Sequence, residues 1–251
     1  PFLNGELPMP EKRSALVVGA GDATGGAIAR RFAREGYATV CTRREVASLD
    51  PLLAKIRADG GEAHGFGSDA RIEEEVVALF EKIETEIAPL EVVIFNIGAN
   101  VNFPIRDTTA RVYRKVWEMA AFGGFLAGRE AAKVMVPRGK GTIIFTGATA
   151  SMRGAAGFSA FSGAKFALRS LAQSMARELG PEGIHVAHTI IDGAIDTEWI
   201  AKNFPQRYAL KEQGGILNPD HIADAYWMLH AQPRDAWTHE LDLRPWMEKM
   251  A

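Results

Sequence analysis

The 251-residue sequence predicts an α/β protein, a single domain built on a doubly wound parallel sheet. Three observations carry that expectation. Short β-branched runs alternate with longer amphipathic ones from residue 14 onward, a glycine-crowded turn follows the first of them, and no Pro/Gly/Ser-rich linker breaks the series. With 47% hydrophobic and 24% charged residues, the chain is long enough to bury one large core.

The elements follow in order. SALVVG (14–19) reads as the first buried strand, and GGAIARRFAREG (25–36) as a helix with Ala27, Ile28, Phe32 and Ala33 on one face and Gly36 as its stop. YATVCT supplies strand two, ASLDPLLAKIRADGG a second helix closed by Gly60 and Gly61, and EAHGFGSD a third strand leading to Asp69. After the charged helix RIEEEVVALFEKIETEI, the unbroken apolar run of LEVVIFNIG marks a central strand. A long helix over 109–136, the strand GTIIFTG, a helix over 157–179 and the strand GIHVAHTII complete the repeated units. From Asp192 the pattern loosens into a flexible loop and helix over 196–214, a helix near 219–231 and a short strand around HELDL. The opening stretch PFLNGELPMPEK has three prolines and no periodicity, so residues 1–13 are expected to form a loosely ordered lead-in to a domain over 14–251.

Charge and composition narrow the function. A net charge of -2, with both signs spread along the chain, gives no reason to expect nucleic acid or an anionic membrane as partner and points to a small-molecule substrate or a protein partner. The lone Cys41, inside YATVC, is expected to be a buried thiol, which suits a reducing compartment. No basic-then-apolar leader and no apolar run of roughly 18 residues is seen, so the expected location is cytoplasmic. The six histidines have no metal-ligand spacing, and no metal is expected.

The turn VVGAGDATGGAIARRFA packs Gly19, Gly21, Gly25 and Gly26 between the first strand and helix. Glycines there let a backbone approach a pyrophosphate, whose charge the amides of a helix N-terminus favour; they equally serve tight strand–helix packing. The turn resembles the G-x-x-x-G-x-G motif of the short-chain dehydrogenase/reductase (SDR) family, with Gly19, Ala23 and Gly25 at its three positions and Gly21 and Thr24 between them. Alanine stands where the middle glycine is usual. The resemblance continues at SDA, where Asp69 and Ala70 match the adenine-binding position, and at FNIG, where Asn96 and Gly98 match the Asn-Ala-Gly motif. It returns at DGAIDT, which is similar to the Pro-Gly-x-x-x-Thr stretch, with Asp192 in place of proline and Ile195 and Thr197 beside the nicotinamide amide. The resemblance runs from about Ser14 to about Leu243. It implies a Rossmann-type fold, a nicotinamide dinucleotide cofactor and a homotetramer or homodimer with the helices 109–136 and 157–179 at one interface.

At the end of strand two the sequence reads TRRE. A carboxylate there suits the ribose hydroxyls of NAD, whereas arginine suits a 2′-phosphate, so Arg43 and Arg44 favour NADP over NAD, with Glu45 as the residue that could still turn inward.

Family members use a tyrosine as proton donor or acceptor, a lysine four residues later on the cofactor ribose, a serine to polarise the carbonyl and an asparagine to support a proton relay. In AFSGAKFAL the lysine is Lys165, which also counts among the cofactor-binding residues, and Phe161 takes the tyrosine's place. Counting back, the serine position falls on Ala148, with Thr149 next to it and expected to point the other way along an extended chain. The asparagine position falls on Ala120. Losing a general acid alone costs about 10²- to 10⁴-fold in rate, so ordinary alcohol or ketone chemistry is not expected.

Three readings stay open: an NADP-dependent oxidoreductase whose substrate needs no proton from residue 161 or draws one from Thr149, Ser151, Ser162, His188 or Tyr208; a non-catalytic NADP-binding sensor or scaffold; and a deliberately inactivated enzyme. Against the last, departures extend to Ala23, Ile97 and Asp192. Trp199, Phe204 and Tyr208 on the expected lid over 196–214 suggest a bulky or apolar substrate, and Trp237 and Trp246 are expected at a subunit contact.

Overall fold

The computed structural model describes residues 11–249. Most of the expected lead-in therefore lies outside the described residues. Seven parallel strands, β1 (Ser14–Val18), β2 (Ala38–Arg43), β3 (Ala63–Gly67), β4 (Leu90–Phe95), β5 (Gly141–Thr146), β6 (Ile184–Ile191) and β7 (Glu240–Leu243), form one sheet in the order β3-β2-β1-β4-β5-β6-β7. The expected doubly wound α/β domain is observed. The order reverses between β1 and β4, and such a switch point opens a crevice beyond the carboxyl ends of the strands.

Alternation along the buried strands assigns each side chain to one of two layers. Ala15 and Val17 face a core shared with α1 (Thr24–Arg34), α2 (Asp50–Ala58) and α9 (Pro219–His230), where Ile28, Phe32, Ile222 and Tyr226 are fully or almost fully buried. Leu16 and Val18 face the other core, with α3 (Glu73–Lys82), α5 (Gly123–Met135) and α6 (Ser159–Leu179), around Phe80, Leu126, Phe145 and Leu168. Burying a side chain such as Phe32 contributes about 1.5–3 kcal/mol. A third, smaller cluster joins α4 (Ala110–Trp117) to α6 through Val116, Ala120, Phe161 and Ala164.

The helix expected over 109–136 is α4 and α5 joined by a wide turn at 118–122, which hydrogen-bonds in the π pattern and contains Ala120. Thr109 starts it by accepting from Val112 N–H at 3.2 Å. The segment over 196–214 forms two short helices, α7 (Glu198–Asn203) and α8 (Pro205–Tyr208), followed by a tight turn at 211–213. The two tryptophans expected at a subunit contact make contacts within the chain. Trp237 stacks on His185 with centroids 4.9 Å apart, and Trp246 Nε1 donates to Gln213 O at 3.0 Å, which ties the C-terminal segment to the lid. No helix of the described residues is long and apolar enough to cross a membrane, and no group of three metal-ligating side chains occurs among them.

Candidate functional site

Five connections converge on the switch-point crevice: the turn after β1, the end of β4, the β5–α6 loop, α6 itself and the loop after β6. The glycine turn is shaped by steric limits. Gly19 has φ +88°, which side chains rarely adopt, and a Cβ on Gly25 would lie 2.8 Å from Ala20 Cα and 2.9 Å from Asn96 Nδ2. Asn96 secures the turn by donating from Nδ2 to Gly19 O at 3.1 Å and from its amide to Val18 O at 2.9 Å. Ala23 precedes α1 and has no side chain to cap it. The amides of Gly26 and Ala27 donate to Gly21 O and Ala23 O, while those of Thr24 and Gly25 have no backbone or side-chain acceptor among the described residues. A Cβ on Gly21 or Gly98 would enter open space, so the backbone itself borders the cleft there. Uncapped amides and bare backbone beside an open cleft suit an anionic, extended ligand.

The main cavity has a volume of about 760 Å³ and runs from this turn to α6 and the lid. Gly19, Gly21, Ala23, Thr24, Gly25, Asn96, Gly98, Ala148, Thr149, Phe161, Lys165, Ile195 and Thr197 all border it. A neighbouring lobe of about 250 Å³ is bordered by Arg43, Arg44, Asp69 and Ala70. Together these account for every expected site residue except Ala120, which is fully buried against Phe161 and does not reach the cleft.

Within the lobe, Arg43 makes only long contacts at 3.4 Å, to Asp22 Oδ1 and Ser48 O, and Arg44 is exposed. Asp69 is already engaged: Arg71 donates to it from Nε at 2.9 Å and Nη2 at 2.5 Å, and these bonds hold its carboxyl below the usual range. Thr197 caps α7, accepting from Ile200 N–H at 3.1 Å.

Lys165 is 3% exposed. Its Nζ donates to Thr146 O at 2.8 Å and Ile97 O at 3.2 Å, and stands 5.9 Å from the centre of the Phe161 ring. Burial brings its pKa down to about 8. The ammonium is thus desolvated beside the cleft with two carbonyls as partners and, among the described residues, no carboxylate.

Thr149 departs from expectation. The chain is not extended after Ala148: a tight turn over Thr149–Ser151, with Ser151 N donating to Ala148 O at 2.8 Å, brings residues 148 and 149 to the same cavity. The Thr149 hydroxyl donates to Asp192 Oδ1 at 2.5 Å, and Asp192 Oδ2 lies 3.2 Å from Arg244 Nη1. Asp192 is 4% exposed and follows β6, so a hydroxyl, a carboxylate and a guanidinium form one chain, of which Thr149 and Asp192 border the cavity. Of the other substitute proton donors considered, Ser162 borders the cavity, whereas Ser151, His188 and Tyr208 do not. His188 is completely buried, and burial brings its pKa down to about 4, so its imidazole is neutral at ordinary pH.

Sequence reasoning missed the pairing of Asp192 with Arg244, which lies 52 positions away, and the presence of Arg153 at the cavity. Substitution of proline by aspartate at 192 was the visible signal for the first. Nothing in the spacing marked the second.

The model of the short chain dehydrogenases matches residues 13–207. The chain belongs to that family. A short-chain dehydrogenase/reductase of Armillaria gallica is 36% identical over 177 residues, covering 69% of this chain and 68% of its relative. The crystal structure of a short-chain dehydrogenase from Rhodopseudomonas palustris is 49% identical, with a TM-score of 0.82 over 94% of this chain and all of that one. A metagenomic short-chain oxidoreductase in complex with NADP, 24% identical, has the same fold at a TM-score of 0.80 over 94% of this chain and 98% of its own.

Proposed function

We propose that the protein is an NADP-dependent oxidoreductase with an atypical active site. The observation that carries this reading is the continuity of one cleft from the Gly19–Gly25 turn, with two unpaired amides, to the buried Lys165. The NADP complex of the metagenomic fold relative supports the choice of cofactor. A bound nicotinamide supplies hydride transfer. Gly19, Gly21, Ala23, Thr24 and Gly25 hold the pyrophosphate, Arg43 and Arg44 take the 2′-phosphate, and Asp69 and Ala70 border the adenine. Asn96 and Gly98 support the ribose side, Lys165 holds the ribose hydroxyls, and Ile195 and Thr197 meet the carboxamide.

Phe161, Ala148 and Ala120 offer no proton. The Thr149 hydroxyl donates to Asp192 and keeps its lone pairs for a hydrogen bond from substrate; a proton reaches it only if its own passes to that carboxylate. The substrate is a small molecule whose reaction needs no strong acid from residue 161, such as an iminium or a polarised C=C. Aromatic lid residues Trp199 and Phe204, 58% and 49% exposed, suit a bulky or apolar body.

A second reading, a non-catalytic NADP-binding sensor or scaffold, is favoured by the packing of Phe161 and Ala120 into one apolar cluster where polar groups would be used. In either case the helical face carrying Tyr113, Trp117, Phe125 and Phe166, each more than 40% or about 40% exposed, is assigned to the contact between subunits of a homodimer or homotetramer. A monomer by light scattering would remove that assignment.

Fluorescence titration with NADPH and NADH tests the cofactor reading. NADPH is expected to bind about tenfold or more tighter than NADH, and Arg43→Ala with Arg44→Ala to abolish the difference. No binding of either nucleotide would overturn both readings.

A further inference from the structure

The charged residues bordering the main cavity are Asp22, Arg153, Lys165, Asp192, Arg207 and Glu248. Five of them are engaged within the chain. Asp22 faces Arg43, Lys165 donates to two carbonyls, Asp192 is held by Thr149 and Arg244, and Arg207 pairs with Glu248. Arg153 makes no ion pair and no side-chain hydrogen bond among the described residues.

Its side chain is exposed, and its backbone is anchored. Arg153 N donates to Thr149 O at 3.1 Å, and its carbonyl faces Ser162 Oγ at 3.5 Å, so the backbone is tied both to the turn that carries Thr149 and to α6. In sequence it stands between Ala148 and Phe161. The same cavity is also bordered by Ala155, Phe158 and Phe161 and by Trp199, Ile200 and Phe204 of the lid. An arginine without a protein partner at the border of a cavity that also holds apolar side chains can pair with a carboxylate attached to an apolar body.

We infer that Arg153 selects substrates bearing a carboxylate, with their apolar portion held between Phe158 and the lid aromatics. This rests on the functional reading above, since it names the substrate class of the same site. Arginine presents a planar fork of donors to a carboxylate, so the uncharged amide of equal shape loses both the charge and the paired acceptors. The phosphates of the cofactor are assigned to a different part of the cleft, the β1–α1 turn and the lobe with Arg43 and Arg44.

The test uses 4-phenylbutyrate and its neutral counterpart 4-phenylbutanamide as probes, titrated into the purified protein with and without NADPH and followed by tryptophan fluorescence. The acid is expected to bind about tenfold or more tighter than the amide. Arg153→Gln is expected to bring the acid to the level of the amide while leaving amide and NADPH affinities unchanged. Equal binding of acid and amide, binding of neither, or an R153Q variant that loses NADPH in parallel with the acid would overturn the inference. Failure of NADPH to bind while the acid–amide difference persists would overturn the cofactor reading and leave Arg153 as an anion site.

Discussion

Replacing Lys165 with methionine separates a buried cation from a merely solvated one. Burial lowers the ammonium pKa from 10.5 to about 8, which corresponds to about 3 kcal/mol of differential interaction. Between those two values the unfolded chain holds one more proton than the folded chain. Stability therefore rises with pH across the window from about 8 to 10.5, and the desolvation penalty stands in full below it. Methionine removes the titration. At neutral pH the variant gains by losing a buried charge, but it leaves the Thr146 and Ile97 carbonyls without their donor, at about 1–3 kcal/mol each. Those effects are of similar size and opposite sign, so the stability at one pH decides little and its pH dependence decides the matter. Urea unfolding of wild type and Lys165→Met, followed by tryptophan fluorescence from about pH 7 to 10.5, supplies the difference in unfolding free energy, in which all other titrations cancel. That difference is expected to be level below pH 8 and then to move in favour of the wild type by about 3 kcal/mol. A difference that stays flat to the top of the range would refute the claim that Lys165 is a desolvated ammonium.

Two further outcomes follow from the same geometry. Restoring the missing polar groups with Phe161→Tyr and Ala148→Ser together is expected to raise turnover on a panel of simple alcohols and ketones by about 10²- to 10⁴-fold; no gain would show that these positions do not carry the family's chemistry in this cleft. Thr149→Val removes the hydroxyl on Asp192 Oδ1 and is expected to cost about 1–3 kcal/mol, or roughly 2–12 °C in Tm by calorimetry, with Thr149→Ser recovering most of it. An unchanged Tm in the valine variant would mean that water replaces the hydroxyl without loss.

The sheet, its parallel sense and most helix positions were legible in the sequence because hydrophobic period is a local property. In LEVVIF every position but Glu91 is apolar, since a central strand is covered on both faces, and the Ile28–Phe32 spacing presents one stripe to the core. The glycine turn was legible for a similar reason. A positive φ at Gly19 and the absence of room at Gly25 are demands that few residue types meet, so the sequence carries their imprint.

What tertiary structure alone decided concerns side chains whose surroundings come from distant segments. Ala120 falls at a family position by alignment, yet the π turn buries it against Phe161 and away from the cleft. Thr149 was expected on the far side of an extended chain, and a single tight turn carried it to the cavity, because side-chain alternation holds only while the backbone stays extended. Lys165 could be placed by spacing, but its two carbonyl partners come from the ends of β4 and β5, and it is their enclosure that removes water from the ammonium. Asp192 was visible as a departure from proline, while the guanidinium that stabilises it belongs to the segment after β7. Periodicity records which face of an element is buried; it does not record which charge from another element lies opposite, and in this protein that second kind of information shapes the chemistry of the cleft.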